Sequence, residues 1–162
     1  SLAGDIEARP GPVTWSNGVQ SVAHEAMLTS RERMGGDGAS SHQASNIQAF
    51  VQYSRYVDHP LLGAETDAVL RGKEIFERED VGCASCHSGS EFADGESYDM
   101  AGATGIRTPQ LRGVAVSAPY LHDGSLPSIE AVLAWARSGE MGDTSMLSES
   151  EMADLAAYVK SL

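Results

Sequence analysis

Cys83-Ala84-Ser85-Cys86-His87 holds the only two cysteines of this 162-residue chain, and its reading decides the fold. C-x-x-C-H is the spacing at which a c-type haem is attached. Two cysteines one helical turn apart bring both sulfurs to the same edge of a porphyrin, where each forms a thioether to a vinyl group. The histidine that follows reaches one axial face of the iron, and the tether keeps it there. The motif bounds the chemistry to electron transfer, peroxide reactions or ligand sensing at one covalently attached haem c. A zinc site would need a fourth ligand, usually supplied with a second pair at characteristic spacing. The remaining histidines, His24, His42, His59 and His122, form no such pair. A thioredoxin-like dithiol would sit near a βαβ pattern, and no such pattern is visible.

The composition agrees with a haem-centred core. The chain is 41% hydrophobic but only 6% aromatic, so its own core is modest and a haem would add a large apolar surface. Its length suits one domain, or one small domain with an extension. The formal net charge of −12 argues against nucleic acid and anionic membrane surfaces, since phosphates need a positive partner. The same charge suits a small basic or dipolar redox protein as electron donor or acceptor, though it also serves plain solubility. No stretch is apolar and long enough for a membrane span. Covalent haem attachment normally takes place outside the cytoplasm. A periplasmic or otherwise extracytoplasmic location is expected, and the numbered chain reads as a mature form or an excised fragment.

Outward from the motif, helical periodicity dominates, and the fold class is all-α. Thr66 caps a helix to about Glu79 that buries Val69, Leu70 and Phe76. Upstream, Asn17 is a fitting cap for a helix through Val19, Val22, Ala23, Ala26 and Met27 that ends at Gly35-Gly36. A second helix over 43–57 is expected to bury Ile47, Phe50 and Val51. Residues 1–14 read as an extended arm and 58–65 as a linker. This divides the chain into an N-terminal arm and helical pair, 1–60, and a haem domain, 66–162. Between His87 and Pro127 no helix or strand is expected, and a structureless stretch of that length is usually functional. It is expected to wrap the haem edge. Ser128 to Arg137 makes a further helix with Ile129, Val132, Leu133 and Ala136 on one face, closed by Gly139. Ser148-Glu149-Ser150-Glu151 is a capping box opening a last helix that buries Met152, Leu155, Ala156 and Val159.

From about Thr66 onward the chain resembles a class I cytochrome c domain, with Gly72 and Phe76 of one helix and Tyr158 of the last standing where that family packs its helix crossing. Two further runs sharpen the resemblance: Thr108-Pro109-Gln110-Leu111-Arg112-Gly113-Val114, then Ala118-Pro119-Tyr120-Leu121-His122-Asp123-Gly124. Their order after C-x-x-C-H is similar to the C-terminal haem domain of bacterial dihaem cytochrome c peroxidases and their methylamine-utilisation relatives. Trp15-Ser16-Asn17-Gly18 and Met34-Gly35-Gly36 are faintly similar to the helices after the first haem motif of that family. Residues 1–60 then read as a remnant of a first haem domain or as a dimerisation element. The family normally carries two haems, whereas this chain has one motif. The resemblance therefore implies the electron-accepting half, with the peroxide-cleaving half in an upstream haem domain or missing altogether. Relatives bind calcium between their haem domains, and no residue of this chain can be assigned to such a site.

What stands opposite His87 decides the function. A methionine closes the iron for electron transfer and raises its potential, whereas an open site would permit peroxide or small-ligand binding. Met27 and Met152 read as core and Met34 lies outside the haem segment. The resemblance favours Met141, in Met141-Gly142 followed by Thr144-Ser145. Relatives place their ligand somewhat nearer the H-D-G motif, where this chain has Trp135 and Ala136. Met146 and Met100 follow as alternatives. His122 is a further candidate, for which a structural place beside the haem in a turn through Asp123 and Gly124 is the better reading. Arg112, and less strongly Arg107, are candidates to pair with haem propionates, because guanidinium matches carboxylates in bidentate fashion. The expectation is an electron-transfer haem domain. A single-haem peroxidase or oxidase with an open iron ranks next and a haem-based sensor, with Met100 as exchangeable ligand, third.

Overall fold

The computed structural model describes residues 21–54 and 65–162. The expected arm, the Asn17 cap and most of the linker lie outside them. The first described helix, α1 (Val22–Leu28), is capped instead by Ser21, whose hydroxyl accepts the His24 N–H at 3.2 Å. It continues as a wider π-helical turn over Thr29–Arg33. Helix α2 (Ser41–Ser54) packs against α1, and Ala44 and Val51 are buried on it. Two expectations fail here. Ile47 is 42% exposed and Phe50 63% exposed, and Met27 of α1, read as core, is 43% exposed. Of the expected apolar stripe Val51 is buried, while Ile47 and Phe50 stay largely exposed among the described residues.

The haem-motif half is organised by two crossing helices. Thr66 accepts the Val69 N–H at 3.3 Å and starts α3 (Asp67–Glu77). At the other end of the chain Ser148 and Glu151 form the expected capping box. The Ser148 hydroxyl accepts the Glu151 N–H, and the Glu151 carboxylate accepts the Ser148 N–H at 2.8 Å, opening α6 (Glu149–Ser161). Gly72 sits at the crossing: a Cβ there would lie 2.0 Å from the Asp154 carbonyl oxygen. The backbones therefore touch, and Phe76 packs edge-on against Tyr158, centroids 5.3 Å apart, and against Phe92 at 6.3 Å. Ile75, Val81, Leu133, Leu155 and Val159 fill the core around them. A fully buried leucine such as Leu155 contributes roughly 1.5–3 kcal/mol of the driving force. Leu70, expected inside, is 45% exposed, and Met152 packs on the edge of the core.

Between them lies α4 (Cys83–Cys86), a single turn carrying the motif, and then a departure from the expectation that no strand lies between His87 and Pro127 in an all-α fold. Residues Ser97–Met100 (β1) and Ala103–Arg107 (β2) form an antiparallel hairpin that pairs Ser97 with Arg107, Tyr98 with Ile106 and Met100 with Ala103. The ladder is irregular between Tyr98 and Met100, and β1 is mostly exposed. An exposed four-residue strand has no need of the alternation that reveals a strand in sequence. A 3₁₀ turn follows at Val114–Val116. Helix α5 (Ile129–Trp135) starts at Ser128, which accepts the Ala131 N–H at 3.2 Å. It buries Ile129 and Leu133, tightens into a 3₁₀ turn over Ala136–Ser138, and stops at Gly139 with φ +80°. Among the described residues no helix is long and apolar enough to cross a membrane.

Candidate functional site

Residues 78–87 deliver the motif to a cavity. After α3, the Val81 and Gly82 N–H groups both donate to the Arg78 carbonyl, and Gly82 turns the chain at φ +76°. The single turn of α4 then closes with the His87 N–H on the Cys83 carbonyl at 3.0 Å. Residues 88–94 fold back over it, and the Asp94 N–H returns to the Cys86 carbonyl at 2.8 Å. Cys83, Cys86 and His87 thereby line one wall of a cavity of about 720 Å³, within the range of small-molecule and cofactor sites.

His87 is buried, and its Nδ1 lies 3.0 Å from the Phe92 carbonyl oxygen. That oxygen can only accept, so Nδ1 carries the proton and the lone pair resides on Nε2. Metal-bound imidazoles are commonly oriented in this way by a backbone carbonyl. Both cysteines are free thiols. Burial pushes the Cys83 thiol up to about 11. Among the described residues no three His, Cys, Asp or Glu side chains converge to hold a metal ion. A porphyrin needs a cavity, two thiols on one edge and one oriented imidazole, and the site has each. The Gln110 Oε1 on the same lining is buried without a hydrogen-bond partner among the described residues, as expected where a bound group completes the site.

The other expected residues divide. Of the methionines, Met141 and Met100 lie on the cavity lining; Met146 is 84% exposed and Met34 76% exposed, and neither lines it. His122 lines the cavity in a turn closed by the Ser125 N–H on the Asp123 carboxylate at 3.0 Å. In that turn Gly124 adopts φ +70° and Leu121, rather than Asp123, adopts φ +65°. Arg112 stands at the rim, exposed, with Nε donating to the Ser90 carbonyl at 2.9 Å and lying 3.6 Å from Glu91. Arg107, the weaker candidate from sequence, is the buried one: it is 7% exposed and lines the cavity from the end of β2.

Tyr98 was not visible as a site residue. It lines the cavity from β1 and donates its hydroxyl to Asp94 Oδ2 at 2.6 Å. That carboxylate, and after it the Cys86 thiol, push the phenol well above its ordinary value. Only the hairpin brings Tyr98 to Cys86, so no local signal could have found it.

Comparison with known proteins places this geometry. A family profile described as RoxA-like, cytochrome c-like matches residues 105–138, which span the end of β2, the Thr108–Gly113 and Pro119–Gly124 runs, and α5. The methylamine utilization protein MauG of Methylorubrum extorquens is 30% identical over 132 residues, covering 65% of this chain and 36% of that protein. Hydrazine synthase subunit gamma of Kuenenia stuttgartiensis is 27% identical over 149 residues, covering 62% of this chain and 42% of that one. The chain thus spans less than half the length of these curated relatives. Among solved structures, a MauG-like protein associated with microbial copper homeostasis superposes with a TM-score of 0.67 at 22% identity, over 93% of this chain and 69% of the other. The crossing of α3 and α6, the cavity and these likenesses together make this chain a helical, cytochrome c-like haem domain, with a small β-hairpin added to the helices.

Proposed function

We propose that the chain is an electron-transfer domain in which Cys83 and Cys86 would hold one haem c through thioethers, and His87 and Met141 would ligate its iron. The observation that carries the reading is the wall formed by Cys83, Cys86 and His87, with the His87 proton fixed on Nδ1 by the Phe92 carbonyl. The His87 Nε2 would thereby be left free to hold the iron of a haem. A haem held there supplies a one-electron couple whose potential follows its axial ligands, its burial and the charge around it. The protein's part is to bind, orient and exclude water. Arg107 places a buried cation on the lining for the propionates, while Arg112 and His122 border the same space.

The domain reads as the electron-accepting half of a dihaem peroxidase-like protein, with a second haem domain and a small redox protein as its partners in an extracytoplasmic compartment. The similarity to MauG, which covers 36% of that protein's length, supports the haem-domain part of this reading. The test is the optical spectrum of the haem-loaded protein, oxidised and reduced. A low-spin spectrum with a far-red methionine-to-iron band, lost in Met141→Ala, is expected. A high-spin ferric spectrum that shifts with peroxide or cyanide would instead mark an open iron and defeat the electron-transfer reading.

A further inference from the structure

We propose that Thr144 is a positioning residue, the pin of a clasp that holds the Met141 sulfur on the cavity. The inference rests on the reading of Met141 as the sixth ligand and adds what keeps it there. Met141 lies in the connection between the 3₁₀ turn after α5 and the start of α6, a segment of the kind that would otherwise be mobile. Here it is tied to both cavity walls. On the motif side, Gly142 adopts φ +71° and runs so close to Val81 that a Cβ would lie 2.5 Å from the Val81 carbonyl oxygen. The next residue, Asp143, donates its N–H to that same oxygen at 2.9 Å.

On the helix side, Thr144 is fully buried and its hydroxyl donates to the Leu133 carbonyl at 2.8 Å. Leu133 belongs to the last turn of α5, where carbonyls lack an intrahelical donor, and its side chain lines the cavity. The Thr144 hydroxyl thus satisfies a helix end and at the same time fixes the segment three residues after Met141. Asp143 caps the Ser145 N–H at 2.8 Å and the Leu147 N–H returns to the Thr144 carbonyl at 3.1 Å, which stiffens the turn beyond the pin. A methionine on an anchored loop stays bound because the loop has little freedom to regain when it lets go.

Imidazole reads this directly, because it competes for the sixth position and its apparent affinity rises with the fraction of molecules in which the loop is open. Thr144→Val keeps the shape, removes the donor and leaves the Leu133 carbonyl unsatisfied. In the haem-loaded full chain it should lower the half-saturating imidazole concentration about tenfold, with the far-red band disappearing in step. Thr144→Ser, which retains the hydroxyl, should titrate close to the parent. Gly142→Ala presses on the same clasp from the Val81 side and should shift in the same direction, and it serves as the test if Thr144→Val does not accumulate with haem. An unchanged half-saturation in Thr144→Val, or in Gly142→Ala where that serves as the test, overturns the clasp. So does a fall in melting temperature with no change in imidazole binding, the mark of a merely structural hydroxyl. A parent protein that binds imidazole as freely as Met141→Ala overturns the Met141 ligand itself, and the clasp with it.

Discussion

Replacing Gly72 by alanine sets two physical effects against each other with opposite signs. Gly72 lies inside α3, and helix propensity alone says that alanine there should stabilise the protein by about 1 kcal/mol. The crossing says the reverse. The new Cβ would sit 2.0 Å from the Asp154 carbonyl oxygen and 2.7 Å from both the Asp154 carbonyl carbon and the Tyr158 Cβ. Two of the three obstacles are backbone, which cannot rotate away, so α6 must retreat until the oxygen reaches ordinary contact. That retreat loosens the Phe76–Tyr158 packing and pulls at the Arg71–Asp154 pair, whose two bonds measure 2.6 and 2.8 Å. Overpacking of this kind costs about 3 kcal/mol at the upper end of its usual range. Less the propensity gain, the net is a loss of about 2 kcal/mol, or roughly 8 °C in melting temperature at about 4 °C per kcal/mol. Thermal unfolding of the haem-loaded protein, followed by far-ultraviolet circular dichroism, measures it. Gly102→Ala is the control, since Gly102 has φ +75° and nothing within 4 Å. It should lose about 1–2 kcal/mol from backbone strain alone. A melting temperature for Gly72→Ala equal to or above the parent's would refute the backbone-to-backbone crossing.

Acid should weaken the same crossing. Hydrogen bonding to Arg71 holds the Asp154 carboxyl below its ordinary value, and the Ser148 backbone N–H does the same for Glu151. Both folded values are depressed, so their stabilisation is complete above the unfolded value of about 4 and is lost as pH falls through the folded value. Melting temperatures recorded from neutral pH downward should drop in that window, and Asp154→Asn should flatten the drop; an identical acid limb in the variant would rule out the assignment. Arg107→Gln should reduce haem retention and lower the reduction potential more than Arg112→Gln, because Arg107 is buried on the lining and Arg112 is engaged at the rim with Ser90 and Glu91. Potentiometry of the two variants decides, and a larger shift in Arg112→Gln would reverse the ranking.

What was legible in the sequence depended on neighbours a few residues apart. The caps at Thr66, Ser128 and Ser148 are local hydrogen bonds, and each stands where the residue pattern puts it. The glycine and aromatics of the crossing could be aligned by resemblance, and the structure supplies the 2.0 Å approach that makes Gly72 necessary. The hairpin was missed because its support is not apolar alternation. Asp99 accepts the Gly105 N–H at 2.9 Å and Tyr98 is tied to Asp94, polar contacts with no periodic signature. The exposure of Ile47 and Phe50 was missed for a different reason: an amphipathic stripe states which face is apolar, not whether another element covers it. The order of Arg107 and Arg112 was likewise unreadable. Five positions apart in a loop-like stretch, the two differ only in that a strand carries the first into the interior.

The choice between Met141 and Met100 turns on the same distinction. Both line the cavity, so composition and proximity do not separate them. Met100 ends β1 and precedes a hairpin tip in which Ala101 and Gly102 adopt φ +50° and +75°. That tip is joined to the Met141 segment by the Ala101 N–H on the Glu140 carboxylate at 2.9 Å, an exposed bond. Met141 is held from the motif side by Val81 and from α5 by Leu133, through bonds that include a fully buried hydroxyl. Exposed single bonds contribute little against the entropy of ordering a loop, whereas a buried donor that would otherwise leave a carbonyl unsatisfied contributes more. The ordering of the Met141 segment thus rests on a buried bond to α5, whereas that of Met100 rests on its ladder pair with Ala103 and on exposed bonds of the hairpin. A ligand already in place binds at the smaller cost, which is the physical ground for proposing that the segment after α5, rather than the hairpin, supplies the sixth position.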